Sequence, residues 1–385
     1  MPASAPAILF TAFEPSGDAH AAPVIAALKA QRPDLRLCAW GGQRMRSAGA
    51  ELIEESARDG VMGLTAITRA RAVRRQLRAI RTWAAANRIA LHVPVDSPAS
   101  NLPLSRGLRR QGAKTVHLVA PQLWAWGKRR LKKLRHNTEL VLCILPFEEE
   151  WFRSRGVPAK FIGHPAINRG LDFDQLDRDA AVLPQGAPKL ALFPGSRLHE
   201  VRKNAALLFA TYTELKNRHS ELCGVAVCAR SEIARAIRQR FDIFPTGLHL
   251  VTVNPDIAVR WCDCAITVSG TMSLDLTRQA KPMIGVYKVG RLSKAFSRLV
   301  LHTPHRLLPN IIAGKRIVPE FVPYAGGTGP IVVAATPLLS DSRALAQQSA
   351  ALEQVRARFA GHDPGREAAD LILEVLDRRA STPPP

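Results

Sequence analysis

From Gly60 to Thr138 the chain carries seventeen lysines and arginines, Arg69 through Arg135, and a single carboxylate, Asp96. Asp96 stands in Leu91-His-Val-Pro-Val-Asp-Ser-Pro98, at the carboxyl end of a short β-branched run. In an open parallel sheet the carboxyl ends of strands line the ligand crevice, so a carboxylate there is placed to act as a general base. Asp before Ser-Pro also commonly begins a turn, and the local sequence leaves both readings open.

Three other segments carry groups suited to anions and sugars. In Phe193-Pro-Gly-Ser-Arg197, Gly195 lets the backbone approach an anion, Ser196 can cap a following helix, and Arg197 offers a bidentate fork for phosphate. Val268-Ser-Gly-Thr271 repeats the arrangement with Ser269, Gly270 and Thr271, and Asp275 follows four residues later on the same helical face. A carboxylate there can hold a ribose diol, although a plainly capped helix has the same pattern. Leu308-Pro-Asn310 and Val318-Pro-Glu320 place Asn310 and Glu320 in otherwise apolar loops. No paired carboxylates and no His/Cys spacing suggest a divalent metal site or a cofactor.

These residues need elements to position them. Short apolar runs alternate with helical patterns, the signature of βαβ units. Strands are expected at 7–13, 35–40, 89–95, 114–119 and 140–145, then at 189–193, 224–228, 249–253, 264–268 and 283–287. Helices are expected at about 68–87, 198–216 and 272–280, and through 341–379. Residues 164–188 lose apolar periodicity, which puts the domain boundary there. The resulting fold class is α/β, two Rossmann-like domains facing a cleft. In the 68–87 helix, Val73, Leu77, Ile80 and Trp83 form one face and arginines the other. That pattern fits a membrane-surface helix or an ordinary surface helix.

At 385 residues the chain exceeds the roughly 250 to 300 that one core usually reaches. Its net charge of +22 calls for an anionic partner, such as a membrane surface, a phosphorylated substrate or nucleic acid. No recognised nucleic-acid module accompanies the charge, so nucleic acid is disfavoured. Six cysteines without a C-x-x-C pair suit reduced, buried thiols in a cytoplasmic protein. No apolar stretch approaches the roughly 18 residues of a membrane span, and the amino terminus lacks a signal-peptide pattern.

Taken in order, the motifs resemble the lipid-A-disaccharide synthase family. The likeness runs through Glu14-x-Ser-Gly-Asp18, Val61-Met-Gly-Leu64, Asp96-x-Pro98 with Asn101, Pro121-x-x-Trp-Ala-Trp126, Pro146-Phe-Glu148 and Gly163-His-Pro165. It continues through Leu192 to Arg197 with Glu200-Val201, Ser269-Gly-Thr271, and Leu308 to Glu320. The resemblance implies the GT-B glycosyltransferase architecture, with a carboxyl-terminal helix crossing back to the first domain. Residues 1–165 then form an acceptor and membrane-facing domain, 166–345 a UDP-sugar domain, and 346–385 returning helices with a disordered tail.

The implied reaction is inverting and metal-independent. UDP-2,3-diacylglucosamine glycosylates the 6-hydroxyl of 2,3-diacylglucosamine 1-phosphate, giving a β-1,6 disaccharide and UDP. The resemblance makes Asp96 the base. It puts Gly195, Ser196, Arg197, Ser269, Gly270, Thr271, Asp275, Asn310 and Glu320 on the donor. Glu14, Ser16, Gly17, Asp18, Met62 and Asn101 fall on the acceptor side. It also implies a cytoplasmic enzyme peripheral to the anionic inner-membrane surface, and possibly a homodimer.

Most departures from the family pattern fall in the first half. Phe13 stands for an expected glycine, with Pro15, Pro94, Ala99 and Ser100 also divergent, whereas the donor half differs mainly by Asp275 in place of Glu. The alternative is therefore a paralogue that binds a UDP-sugar but uses another acceptor or has lost turnover.

Overall fold

The computed structural model describes residues 7–56, 66–126, 130–241, 243–268, 270–290 and 303–378, apart from the side chains of 66–72 and 126. The chain forms two compact units, Met1–Pro165 with Gly361–Pro385, and Ala166–Ala360.

The first unit is built on β1 (Ala7–Thr11), β2 (Arg36–Gly41), β3 (Glu51–Glu55), β4 (Ile89–Pro94), β5 (Lys114–Leu118), β6 (Leu140–Cys143) and β7 (Ala159–Phe161). They lie in the order β3-β2-β1-β4-β5-β6-β7, and the pairings are parallel. The second unit holds β8 (Lys189–Phe193), β9 (Cys223–Val227), β10 (Leu248–Val251), β11 (Cys264–Val268), β12 (Met283–Lys288) and β13 (Glu320–Tyr324). Their order is β10-β9-β8-β11-β12-β13, again parallel. Both are doubly wound Rossmann-like sheets, each reversing direction once, between β1 and β4 and between β8 and β11.

The central strands are fully buried, which is why they read as continuous apolar runs. Three strands were not expected from sequence, and each lies at a sheet edge. β3 is Glu-Leu-Ile-Glu-Glu, β7 has three residues, and β13 carries Pro323. Edge strands tolerate charge, brevity and proline, so they lack the apolar signature. Within 164–188, expected to be irregular, two short helices form, Pro165–Asn168 and Phe173–Ala180. Asp172 caps the second through the Gln175 N–H.

The arginine-rich helix spans Ala66–Ala86. Its apolar stripe is taken up by the core: Leu77 and Ile80 are buried among Ala7, Leu9, Cys38 and Trp40, with Val73 and Trp83 packed alongside. Arg74, Arg75 and Arg78 are exposed on the opposite side. Among the described side chains of this helix, Val73, Leu77, Ile80 and Trp83 face the protein.

The last helix, Pro364–Asp377, returns to the first unit. Ala368, Ala369, Ile372 and Val375 join the cluster of Phe10, Ile25 and Leu28. Lys114 Nζ donates to the Val375 carbonyl at 2.8 Å, fixing the end of the helix against β5. The preceding Ser342–Ala357 helix stays with the second unit, where Gln348 accepts from the Met283 N–H. No helix among the described residues is long and apolar enough to cross a membrane.

Four histidines in the first unit are held neutral. Burial lowers His92, His117 and His164 to about 3 and His20 to about 4. Between those values and the unfolded value near 6.5, the unfolded chain binds protons that the folded one does not. Their contribution is complete above about pH 6.5 and falls as pH drops through that window. Buried Glu148, raised to about 7, works in the opposite sense, as does Asp96, which burial also raises. Neither ring nitrogen of His117 has a hydrogen-bond partner among the described residues. His117→Leu should therefore raise the unfolding free energy by about 1 to 3 kcal/mol at pH 7 and make its decline toward pH 5 shallower. Urea unfolding at both pH values measures this, and a destabilised variant would contradict the assignment.

Candidate functional site

In a doubly wound sheet, loops at the carboxyl ends of the two strands flanking the reversal splay apart and leave a crevice. In the first unit those loops carry Glu14, after β1, and Asp96, after β4. In the second they carry Gly195, Ser196 and Arg197, after β8, and Gly270 and Thr271, after β11. The topology thus separates the chemistry-bearing residues into two sites, one per unit.

Asp96 sits on a strained turn. It and Ser97 are both left-handed, with φ of 47° and 45°. Two such residues together cost about 2 to 4 kcal/mol. The turn is held from beneath by Asn101, fully buried in the first turns of the Pro98–Arg109 helix. Its Nδ2 donates to the carbonyls of Val95 and Asp96, at 3.0 and 2.8 Å. Its Oδ1 accepts from Thr11 Oγ1 at 2.8 Å, and Asp96 N–H donates to the Leu118 carbonyl at 3.0 Å. These bonds, each worth about 1 kcal/mol net, match the strain in size.

The network fixes a tautomer. Because the Thr11 hydroxyl proton goes to Asn101, Thr11 Oγ1 must accept from His92 Nε2–H, 2.9 Å away. His92 is neutral, so its Nδ1 is an acceptor, 3.2 Å from Ser105 Oγ, whose single proton is shared with the Asn101 carbonyl 3.0 Å away. Asp96 thus sits atop a buried relay of threonine, histidine, serine and asparagine. Burial raises its own carboxyl above the usual range, partly offset by the Ser97 N–H, and the charge of Glu14 raises it further.

Two other acids of this unit, Asp18 and Glu148, are internally committed. Asp18 accepts from the backbone N–H groups of Gly42 and Met45 at 3.0 Å and of Arg44 at 3.1 Å. Through these bonds it caps the Gln43–Ser47 helix. Gly17 is buried and Asn101 is spent on the turn, while Glu14 and Ser16 are exposed. Glu148, singled out in the sequence only as part of a motif, is fully buried. It accepts from the Trp124 indole at 3.0 Å and from the Leu145 and Ile144 N–H groups. Burial pushes it up to about 7 against those three donors, and the charge of Asp96 adds to the rise.

In the second unit, Gly195 has φ of 123°, and a Cβ there would lie 2.7 Å from Glu200 Cβ, so the loop requires glycine. Ser196 and Arg197 are exposed, but their N–H groups both donate to Glu200 Oε2 at 3.2 Å. Through these bonds the Leu198–Arg218 helix is capped by its own carboxylate. The Arg197 guanidinium, 3.4 Å from Glu200 Oε1, remains half exposed. Gly270 and Thr271 are exposed at the head of the Met272–Arg278 helix.

Asp275 lies 3.6 Å from Arg278, which pairs with Asp256, itself 2.6 Å from Arg169. Burial raises Asp275 to about 6, with Arg278 pulling against it. Asn310 and Glu320 are structural clamps. Asn310 is fully buried and bonds Ile317 N–H, Val318 N–H and the Val318 carbonyl at 2.8 to 2.9 Å. Glu320 accepts from the Arg306 and Leu307 N–H groups, and pairs in register with Gly285 in the body of β12. Met62 and Ser269 lie outside the described residues. Among the described residues no group of three His, Cys, Asp or Glu side chains could hold a metal ion.

Residues 8–369 match the family model described as lipid-A-disaccharide synthetase. The lipid-A-disaccharide synthase of Pseudomonas aeruginosa strain LESB58 is 32% identical over 377 residues, covering 97% of this chain and 98% of that protein. That of Myxococcus xanthus is 31% identical over 374 residues, covering 96% and 98%. Among solved structures, UDP-GlcNAc 2-epimerase from Neisseria meningitidis bound to UDP-GlcNAc shares the fold with a TM-score of 0.61 at 11% identity, covering 96% of this chain and 98% of that one. The spinosyn rhamnosyltransferase SpnG complexed with thymidine diphosphate does so with 0.62 at 14%, covering 95% and 100%.

Asn101→Ala removes three buried bonds and strands the Thr11 hydroxyl. It should cost about 2 to 4 kcal/mol in urea unfolding. A loss below about 1 kcal/mol would mean that the turn is held by other contacts.

Proposed function

Because the chain belongs to the lipid-A-disaccharide synthase family, we propose that it joins two acylated glucosamines, with Asp96 as the base. The chain is a glycosyltransferase, its donor UDP-2,3-diacylglucosamine and its acceptor 2,3-diacylglucosamine 1-phosphate. The acceptor's 6-hydroxyl oxygen bonds to the anomeric carbon as the bond from that carbon to UDP breaks. The hydroxyl proton passes to Asp96, and UDP leaves with the bonding pair. Attack opposite the leaving group inverts the centre and gives the β-1,6 disaccharide 1-phosphate.

The observation that carries Asp96 is its place: a half-buried carboxylate on a braced turn at the carboxyl end of β4, beside the sheet reversal. Burial that raises its pKa brings it closer to the working pH, which improves a general base. Arg197 supplies charge for the departing diphosphate, with Gly270 and Thr271 beside it on the neighbouring strand end. Asp275 is assigned to the ribose. The reaction as assigned uses no metal.

In the same reading the enzyme is cytoplasmic and holds peripherally to the anionic inner-membrane surface through Arg74, Arg75 and Arg78, and family resemblance allows a homodimer. Attachment through exposed arginines should weaken with added salt. The alternative, an altered acceptor or lost turnover, was suggested by Phe13. That side chain packs against the cluster containing Leu9, Cys38 and Trp40, so its bulk is absorbed by the core.

UDP release from the diacyl donor should depend on the monosaccharide phosphate acceptor; acceptor-independent release, or none, would reject this function. Asp96→Asn should lower kcat by about 100-fold or more while UDP affinity stays within about twofold. Arg197→Ala should weaken UDP binding by about tenfold or more. Since Asp96 must be ionised to act, turnover should fall as pH drops through its raised pKa. Glu14→Gln should move that acid limb to lower pH; an unmoved limb would detach Glu14 from Asp96.

A further inference from the structure

A cavity of about 810 Å³ opens in the first unit among the Ala66–Ala86, Pro98–Arg109 and Leu131–Asn137 helices. Its walls carry Arg81, Arg106, Arg110, Arg130 and Lys133, and no carboxylate lines it among the described residues. Buried Pro98 and Leu102 supply apolar wall. The cavity reaches the first turn of the helix that follows Asp96, because Pro98 and Ala99 lie two and three residues beyond it.

One of these cations is held in place by the helix it crosses. Arg81 crosses the Pro98–Arg109 helix and donates to the Pro103 carbonyl at 2.9 Å. It passes over Gly107, where a Cβ would come within 3.1 Å of its Nε. Arg106 and Arg110, one turn apart on one face, are exposed and have no ion-pair partner among the described residues. Concentrating like charges around an apolar wall is unfavourable unless an anion with an apolar body occupies the space.

We propose that this cavity binds an acylated phosphate, the guanidinium groups taking the phosphate and the Pro98–Leu102 wall an acyl chain. The inference rests on the transferase reading only for its natural occupant, which is the acylated sugar phosphate acceptor. A membrane phospholipid offers the same chemistry.

The experiment uses the full chain and dihexanoyl phosphatidic acid below its micelle concentration, with dihexanoyl phosphatidylcholine as control. Wild type should bind the phosphatidic acid about tenfold more tightly than the control. Arg106→Gln with Arg110→Gln should erase that preference while circular dichroism and UDP affinity stay unchanged. No preference in wild type, or a preference that survives the double variant, overturns the proposal.

Kinetics then separate the sources. A rise of about tenfold in KM for the acceptor in the double variant identifies the acceptor as occupant. An unchanged KM with weakened binding to phosphatidylglycerol vesicles identifies the membrane lipid. If wild type transfers no sugar, the transferase reading fails, while the phosphatidic acid comparison still decides the cavity.

Discussion

The buried Asn101 amide ties three parts of the first unit together: the Thr11 hydroxyl on β1, the carbonyls at the end of β4, and the helix that carries it. Rossmann-like sheets always leave a crevice at the reversal, but the topology does not decide which groups face it. Here that is decided by a turn with two consecutive left-handed residues, which is affordable only because the amide and the buried His92 and Ser105 beneath it compensate. The placement of Asp96 thus depends on a buried polar network beneath it.

The same division of labour runs through both units. Several polar residues of the motifs, among them Asp18, Asn101, Asn310 and Glu320, spend their hydrogen-bonding capacity on backbone groups. They shape loops. Glu14, Asp96, Arg197, Thr271 and Asp275 remain at least partly open to solvent. Motif membership therefore covers two kinds of residue, those that shape loops and those left open to solvent.

This explains how far the sequence could be read. The buried strands were legible because burial on both faces leaves a continuous apolar run, as in Lys189–Phe193 and Cys264–Val268. The edge strands β3, β7 and β13 were not, since an edge imposes no such demand. Asp96 stood out by charge contrast alone. His92, Thr11 and Ser105 gave no signal, because single polar residues in apolar runs look alike whether or not they meet. Glu148 was visible in its motif, but only folding shows that it is buried against the Trp124 indole. The spent state of the Ser196 and Arg197 amides was likewise invisible, though Glu200 stood three and four residues away.

The Glu200 cap has a thermodynamic consequence. An anion entering the loop after β8 does not find vacant donors; it meets a tethered competitor, since both amides already bond a carboxylate. Affinity there is a difference between two anions, and the expelled carboxylate must find water or a new partner. A monoanion gains little from such an exchange, whereas a diphosphate, with more charge and several oxygens to share, gains more. The loop thus acts as a threshold, kept folded when empty by the group that a ligand must outbid.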